Sequence, residues 1–276
     1  MQTAFLSKRS IISVVGDAKS GDDSLDFLQG LISNDARKLQ AGAPLYAALL
    51  SPQGKFLHDF FLIKWGGKIF IDIAANRASD LLSRLKIYRL RSKVEISLET
   101  QLRVTVIWGE EVKTSENTEQ IIYQDPRLSA LGYRTICLDC NTANDEKEYD
   151  KFRLSLGVPD TEDMIIEKSL LLECGFEELH GVDFSKGCYV GQEVTARSKF
   201  RGQVRKSFYK ISANSDLPMI GTPIIAGGKS IGELRTSCEN IGIGIINTDA
   251  YNAAKTENAA FYCGELPVNI SLPVWS

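Results

Sequence analysis

Apolar residues recur along this chain at two spacings, and the switches between them predict its elements. Over residues 22–36, Leu25, Leu28, Leu31 and Ile32 fall on one stripe at helical spacing, with Asp22, Asp23 and Ser24 available as N-caps. Residues 77–90 repeat that spacing, with Leu81, Leu82 and Leu85 inward together with Tyr88 or Ile87. Residues 146–156 repeat it again and stop at Gly157-Val158-Pro159, a C-cap glycine followed by a helix-ending proline. Elsewhere the period is two, or the run is apolar throughout. Residues 45–50 read as a buried strand and 56–64 as its hairpin partner. The turn between them is Ser51-Pro52-Gln53-Gly54, where Pro52 presets φ and Gly54 permits a positive one. Residues 68–74, 94–98, 102–108 and 132–138 read as further strands, with a turn at Asp125-Pro126-Arg127 and a polar surface loop over 141–147.

The texture changes after Gly202. Short β runs at 204–211, 223–226, 230–236 and 241–247, punctuated by Gly227-Gly228, predict a small all-β barrel. The expected organisation is an α/β region over residues 1–202, built as two interleaved subdomains, and a barrel domain over 203–276. The fold class is α+β. A length of 276 residues with 43% apolar content suits one large and one small core. Lys+Arg 32 against Asp+Glu 35 gives no whole-chain case for nucleic acid. The N-terminal residues carry no apolar run before a small-residue cleavage site, and no stretch reaches the roughly 20 apolar residues of a membrane span. The six cysteines are scattered, so reduced thiols in a cytoplasm are expected.

One stretch departs from both periodicities. Lys186-Gly187-Cys188-Tyr189-Val190-Gly191-Gln192-Glu193 places a thiol between two glycines, and Arg197 follows. A thiol becomes a nucleophile or ligand as thiolate, which nearby cations or helix N-terminal amides favour. Lys186 and Arg197 are the candidate cations. If Gln192 opens a helix, its N–H groups favour an anion nearby. Glu193 is the one acid between Lys186 and Lys210, facing Lys186, Arg197, Lys199, Arg201, Arg205, Lys206 and Lys210. Such a patch suits a polyanionic ligand tail or RNA phosphates. The competing reading makes Cys188 an ordinary small buried side chain and the cations a solvated face. A Ser/His/Asp-type triad is not supported, because the two histidines, His58 and His180, have no sequence tie to Cys188. Cys137-Leu138-Asp139-Cys140 has the spacing of half a zinc site, but no second pair follows and Cys137 falls in an alternating strand, so no metal site is expected.

The stretch from Lys186 to Arg205 resembles the signature of the YgfZ family, folate-binding relatives of the glycine-cleavage T-protein that support iron–sulfur enzymes and include a mitochondrial assembly factor. Further pieces match in order: Gln29-Gly30-Leu31-Ile32-Ser33-Asn34-Asp35, Pro52-Gln53-Gly54-Lys55 with Asp59, Arg91-Ser92-Lys93-Val94, Asp125-Pro126-Arg127, Leu131-Gly132-Tyr133-Arg134, and Gly232, Thr236-Ser237 and Gly242 to Ile245 in the barrel. The resemblance implies a T-protein-like α/β body around a central channel that holds tetrahydrofolate or a derivative, closed by the C-terminal barrel. Cys188 would work at its mouth. Cofactor-binding residues implied with it are Tyr149, Arg153, Glu173, Lys186, Tyr189, Gln192, Glu193 and Arg197, with Arg197 the candidate for the folate tail. Asn34 and Asp35 are equally read as helix end and loop entry. Where the T-protein has paired acids after a Gly-Gly turn, this chain has Lys55, His58 and Asp59. Asp59 alone remains for the transferase role, so aminomethyl transfer to folate is the alternative activity. The implied partners are iron–sulfur enzymes, including those that modify tRNA, or assembly proteins; an RNA-binding adaptor using the basic run is the remaining reading.

Overall fold

The computed structural model describes residues 1–17, 23–41, 43–90, 92–117, 119–138, 145–202 and 204–276. Asp22, Arg91, Asp139, Cys140 and the polar run 141–144 lie outside the described residues. By contacts the chain divides into two units: Met1–Glu146 with Leu179–Val194, and Lys147–Glu178 with Thr195–Ser276.

In chain order the first unit holds β1 (Gln2–Phe5), β2 (Arg9–Gly16), α1 (Asp23–Gln29), β3 (Leu45–Leu50), β4 (Phe56–Trp65), β5 (Lys68–Ala74), α2 (Ala78–Tyr88), β6 (Val94–Glu99), β7 (Arg103–Trp108), β8 (Ser115–Glu116), β9 (Gln120–Gln124) and β10 (Tyr133–Cys137). They form two five-stranded antiparallel sheets, ordered β3-β4-β5-β2-β6 and β1-β7-β10-β9-β8. Strands β3 and β4 are buried almost throughout, which explains their unbroken apolar runs. One face of their sheet, with Leu45, Ala47, Phe60, Leu62, Ile71 and Ile12, packs against Leu25 and Leu28 of α1 and Leu81 and Leu85 of α2. The opposite face carries Tyr46, Asp59, Phe61 and Asp72, because a strand turns alternate side chains to opposite sides. This polar face meets Arg134 from β10 and Arg127 from the loop after β9.

The second unit holds α3 (Glu146–Leu156), most of α4 (Gln192–Arg201), β11 (Lys206–Ser212), β12 (Pro223–Ala226), β13 (Lys229–Cys238), β14 (Ile241–Asn247), α5 (Thr248–Thr256), β15 (Phe261–Cys263), β16 (Leu266–Pro267) and β17 (Asn269–Ser271). Its seven strands form one antiparallel sheet, ordered β16-β15-β12-β13-β14-β11-β17, around Tyr209, Ile224, Leu234, Ile246 and Tyr251. The Trp275 indole donates to Gly157 O at 2.9 Å.

Several expectations need correction. The helix expected over 22–36 ends at Gln29. Gly30 follows, and the chain leaves the helix to pair with β3: Ile32 bridges Leu49, and Ser33 N donates to Ala48 O at 2.9 Å. Sheet pairing thus overrides the apolar periodicity. Of the two candidates at the end of α2, Tyr88 packs on the core while Ile87 is 71% exposed. Cys137 is disulfide-bonded, against the expectation of reduced thiols throughout. The pattern assigned no element to β1, β2, β8, β9, α5 or the last three strands.

Candidate functional site

The Cys188 segment is exposed at its thiol and tethered on both sides. Cys188 is a free, exposed cysteine. Before it, Asp183 N donates to Ser33 O at 3.0 Å, and the Ser33 hydroxyl donates to Gly181 O at 2.6 Å. The Lys186 ammonium donates to three backbone carbonyls, Gln29 O at 2.8 Å, Ile32 O at 2.6 Å and Asn34 O at 2.8 Å, all at or just beyond the end of α1. The same ammonium sits 4.9 Å from the Tyr189 ring centroid. Burial pulls its pKa down to about 8, while Asp35 and Asp183 pull the other way. Beyond the thiol, Val190 N donates to Gly30 O at 3.2 Å.

Gly191 closes the segment with φ +79, and a Cβ there would lie 2.4 Å from Ser51 O and 2.8 Å from Leu50 Cβ. Gly54 of the β3–β4 turn faces it, with φ +71 and a Cβ position 2.8 Å from Gly191 O. Two motifs far apart in sequence therefore meet backbone to backbone, and only glycine permits that approach. Tyr189 N donates to Gln192 Oε1 at 3.1 Å, and Gln192 N returns to Tyr189 O at 3.3 Å. This turn leads into α4, which starts at Gln192; Glu193 is exposed in its first turn.

Other candidates are placed as follows. Asp59 is 1% exposed and accepts from the Tyr46 hydroxyl at 2.9 Å. His58 faces the other way, fully buried, with Nε2 3.0 Å from Asp80 Oδ2. Burial pulls its pKa to about 4, and Arg77 adds to that against the pull of Asp80. In the second unit, Tyr149 is 3% exposed with its ring tilted against that of Phe152, centroids 6.5 Å apart, while Arg153 donates to Val158 O at 2.6 Å and lies 3.6 Å from Asp163. Glu173 is half-buried and Arg197 is exposed. Lys186, Tyr189 and Gln192 are thus brought together around Cys188.

Residues that the pattern left in the background build the tether. Asn34 gives its amide to Tyr46 O and His180 O, both at 2.8 Å, and accepts from Asp35 N. Ser33 joins Ala48 N to Gly181 O. Their adjacency to the end of α1 in a matched motif was the available signal.

The Asp125-Pro126-Arg127 and Gly132-Tyr133-Arg134 pieces have a different role. Asp72 binds Arg9 at 2.7 Å and Arg134 at 2.6 Å, and Asp125 binds Arg127 at 2.9 Å and Arg134 at 3.5 Å. Arg134 lies 3.9 Å and Arg127 4.7 Å from the Phe61 ring centroid. Burial pushes the Asp125 carboxyl up, but the two arginines together hold it below its ordinary range. A cavity of about 790 Å³ borders this cluster, lined by Pro44, Tyr123, Asp125, Leu128 and His180 among others; none of the predicted site residues lines it. Among the described residues no group of three or more His, Cys, Asp or Glu side chains is placed to hold a metal, and no helix is long and apolar enough to cross a membrane.

Fold and site together define a T-protein-like α/β body with a C-terminal barrel and a cysteine-bearing loop. The structure of the glycine cleavage system aminomethyltransferase T from Bartonella henselae superposes with a TM-score of 0.73 over 100% of this chain and 86% of that one, at 14% sequence identity, a likeness of fold. Residues 205–276 match the family described as CAF17, C-terminal beta-barrel domain. In sequence the chain is similar to the mitochondrial iron–sulfur cluster assembly factor IBA57 homolog of Mycosarcoma maydis, 34% identical over 74% of this chain and 55% of the relative. It is also similar to human mitochondrial IBA57, 28% identical over 82% of this chain and 73% of that protein. The chain spans about half the length of the fungal relatives it matches. In sequence, then, the likenesses are to the CAF17 barrel family and to proteins described as IBA57 iron–sulfur cluster assembly factors, where the motifs alone pointed to YgfZ.

Proposed function

We propose that this protein supports the assembly or repair of iron–sulfur enzymes, with Cys188 as its working group and a tetrahydrofolate as its small-molecule ligand. The observation that carries the reading is the exposed free thiol of Cys188 on a loop tethered to α1 and to the β3–β4 turn. A single thiolate meets only part of the coordination that iron or a cluster requires. The remaining ligands would come from a partner, an assembly protein or a client enzyme, with the cluster as cargo. Enzymes that modify tRNA are one client class consistent with this role. An exposed free thiol suits a reducing compartment, the cytoplasm included.

Among the residues proposed for folate, Arg197 and Glu193 are exposed, and Glu173, Lys186, Tyr189 and Gln192 are half-buried. Arg197 would hold a tail carboxylate through its guanidinium, and Glu173 would accept from a pterin N–H. Tyr149 and Arg153 are buried and would act as support, since Arg153 already serves Val158 O and Asp163. Aminomethyl transfer, the second reading, rests on Asp59, whose carboxylate is buried under the Tyr46 hydroxyl.

The test is restoration of iron–sulfur enzyme activity by the wild-type chain in cells lacking their own copy; no restoration would end the reading. Calorimetry with tetrahydrofolate tests the ligand separately: binding heat and a raised Tm are expected, and neither at saturating ligand would remove folate. Ammonia released from an aminomethyl-lipoyl carrier in the presence of tetrahydrofolate would instead establish the transferase.

A further inference from the structure

We infer that Lys186 is a positioning residue: its ammonium closes a cage of three backbone carbonyls at the end of α1 and thereby fixes the loop that presents Cys188. The functional consequence rests on the reading of Cys188 above; the clamp itself does not.

A helix leaves its last carbonyls without intrahelical partners, and its C-terminal end carries partial negative charge. Gly30 ends α1 early because the next residues pair with β3, so carbonyls at 29, 32 and 34 converge where no backbone N–H is donated to them by a continuing helix. A lysine ammonium has three donors arranged about one point, and here all three carbonyls lie at 2.6–2.8 Å. The lysine side chain comes from a segment more than 150 positions away. It therefore does for α1 what a local C-cap would do, while tying Cys188, two residues on, to a rigid element. The remaining tethers agree with this. Asp183 N and Val190 N bind Ser33 O and Gly30 O on either side of the cage. Gly187, between the cage and the thiol, has no atom within 4 Å of its Cβ position, so the loop itself adds no packing there. Lys186 is the side-chain anchor between Asp183 and Val190, and Tyr189 covers it with its ring.

The cage is chemically distinct from a positive charge that waits for an anionic ligand. An ammonium that must satisfy three converging carbonyls is not replaced by a planar guanidinium, whose donors point in a fixed fork. A cation that binds a carboxylate tail would tolerate arginine.

Two measurements test it. In the native wild-type protein, brief acylation with acetic anhydride followed by mass spectrometry should modify Lys186 at least about tenfold more slowly than exposed Lys147 once each rate is divided by that lysine's free-amine fraction, taken from the pH dependence of its rate, because Nζ must leave the cage to react. Hydrogen exchange compares the wild type with Lys186→Met and Lys186→Arg. Both variants should speed exchange at the Val190 and Asp183 amides about tenfold or more, with the β4 and β5 amides unchanged. Both should also lower restoration of iron–sulfur enzyme activity although Cys188 is present. Acylation of Lys186 at the rate of Lys147, after that correction for free amine, would overturn the inference without any variant needing to fold. So would wild-type exchange and activity in Lys186→Arg. If Cys188 proves dispensable in cells, the acylation and exchange results still decide the clamp.

Discussion

Two polar clusters in the first unit are built in opposite ways. The cluster of Arg9, Asp72, Arg134, Asp125 and Arg127 is sealed between two sheets, and every charge is met by a side chain of opposite sign. The cluster around Cys188 is held by backbone carbonyls and amides, and its thiol faces outward. Asp125, Arg127 and Arg134 of the first and the Cys188 stretch of the second both lie in pieces that resemble one family pattern. A crowd of polar residues in a matched motif is therefore not by itself a site. The sealed cluster fixes the sheets against each other; the tethered one leaves a reactive group accessible on a rigid mount.

That contrast breaks most visibly at the sealed cluster. Asp72→Ala leaves Arg9 and Arg134 buried without their shared carboxylate and is expected to cost about 3–5 kcal/mol in urea unfolding. A loss below about 1 kcal/mol would mean that the cluster is hydrated rather than sealed.

His58 sharpens the comparison through pH. Its folded pKa, near 4, lies below its ordinary 6.5, so the unfolded chain takes up the proton first on acidification. The contribution is complete above about pH 6.5 and lost as pH falls toward 4. Stability should be about 2 kcal/mol lower at pH 5 than at pH 7.5 from this group. Denaturant midpoints at the two pH values, compared between wild type and His58→Gln, measure it. An unchanged slope in the variant would place the pH dependence elsewhere.

At the tethered loop, Gly191→Ala forces a Cβ against Ser51 O and Leu50 at a positive φ. A loss of about 1–2 kcal/mol is expected, with faster exchange at the Val190 amide. The smallest effect on stability belongs to the residue proposed as the working group: Cys188→Ala should change unfolding free energy by less than about 0.5 kcal/mol, since its side chain is exposed.

Much of this was legible in the sequence. The β3–β4 hairpin, α3 and strands β11 to β14 followed from apolar spacing and turn chemistry, because there local preference and burial agree. The end of α1 was not legible, because Leu31 and Ile32 continue the helical stripe while their backbone pairs with β3. The Cys188 stretch stood out by lacking either periodicity. The carbonyl cage could not be read from it: a lysine's charge is visible in a sequence, but acceptors contributed by main-chain atoms carry no residue signature. Likewise, Arg134 and Asp72 are 62 positions apart, and their pairing depends on which faces the two sheets turn to each other.

The proposed function places iron–sulfur work on the exposed thiol of Cys188 and its tethered loop. In cells lacking their own copy, the activity of an iron–sulfur enzyme should be restored by the wild-type chain and not by Cys188→Ala at equal protein level. Full restoration by Cys188→Ala would contradict it.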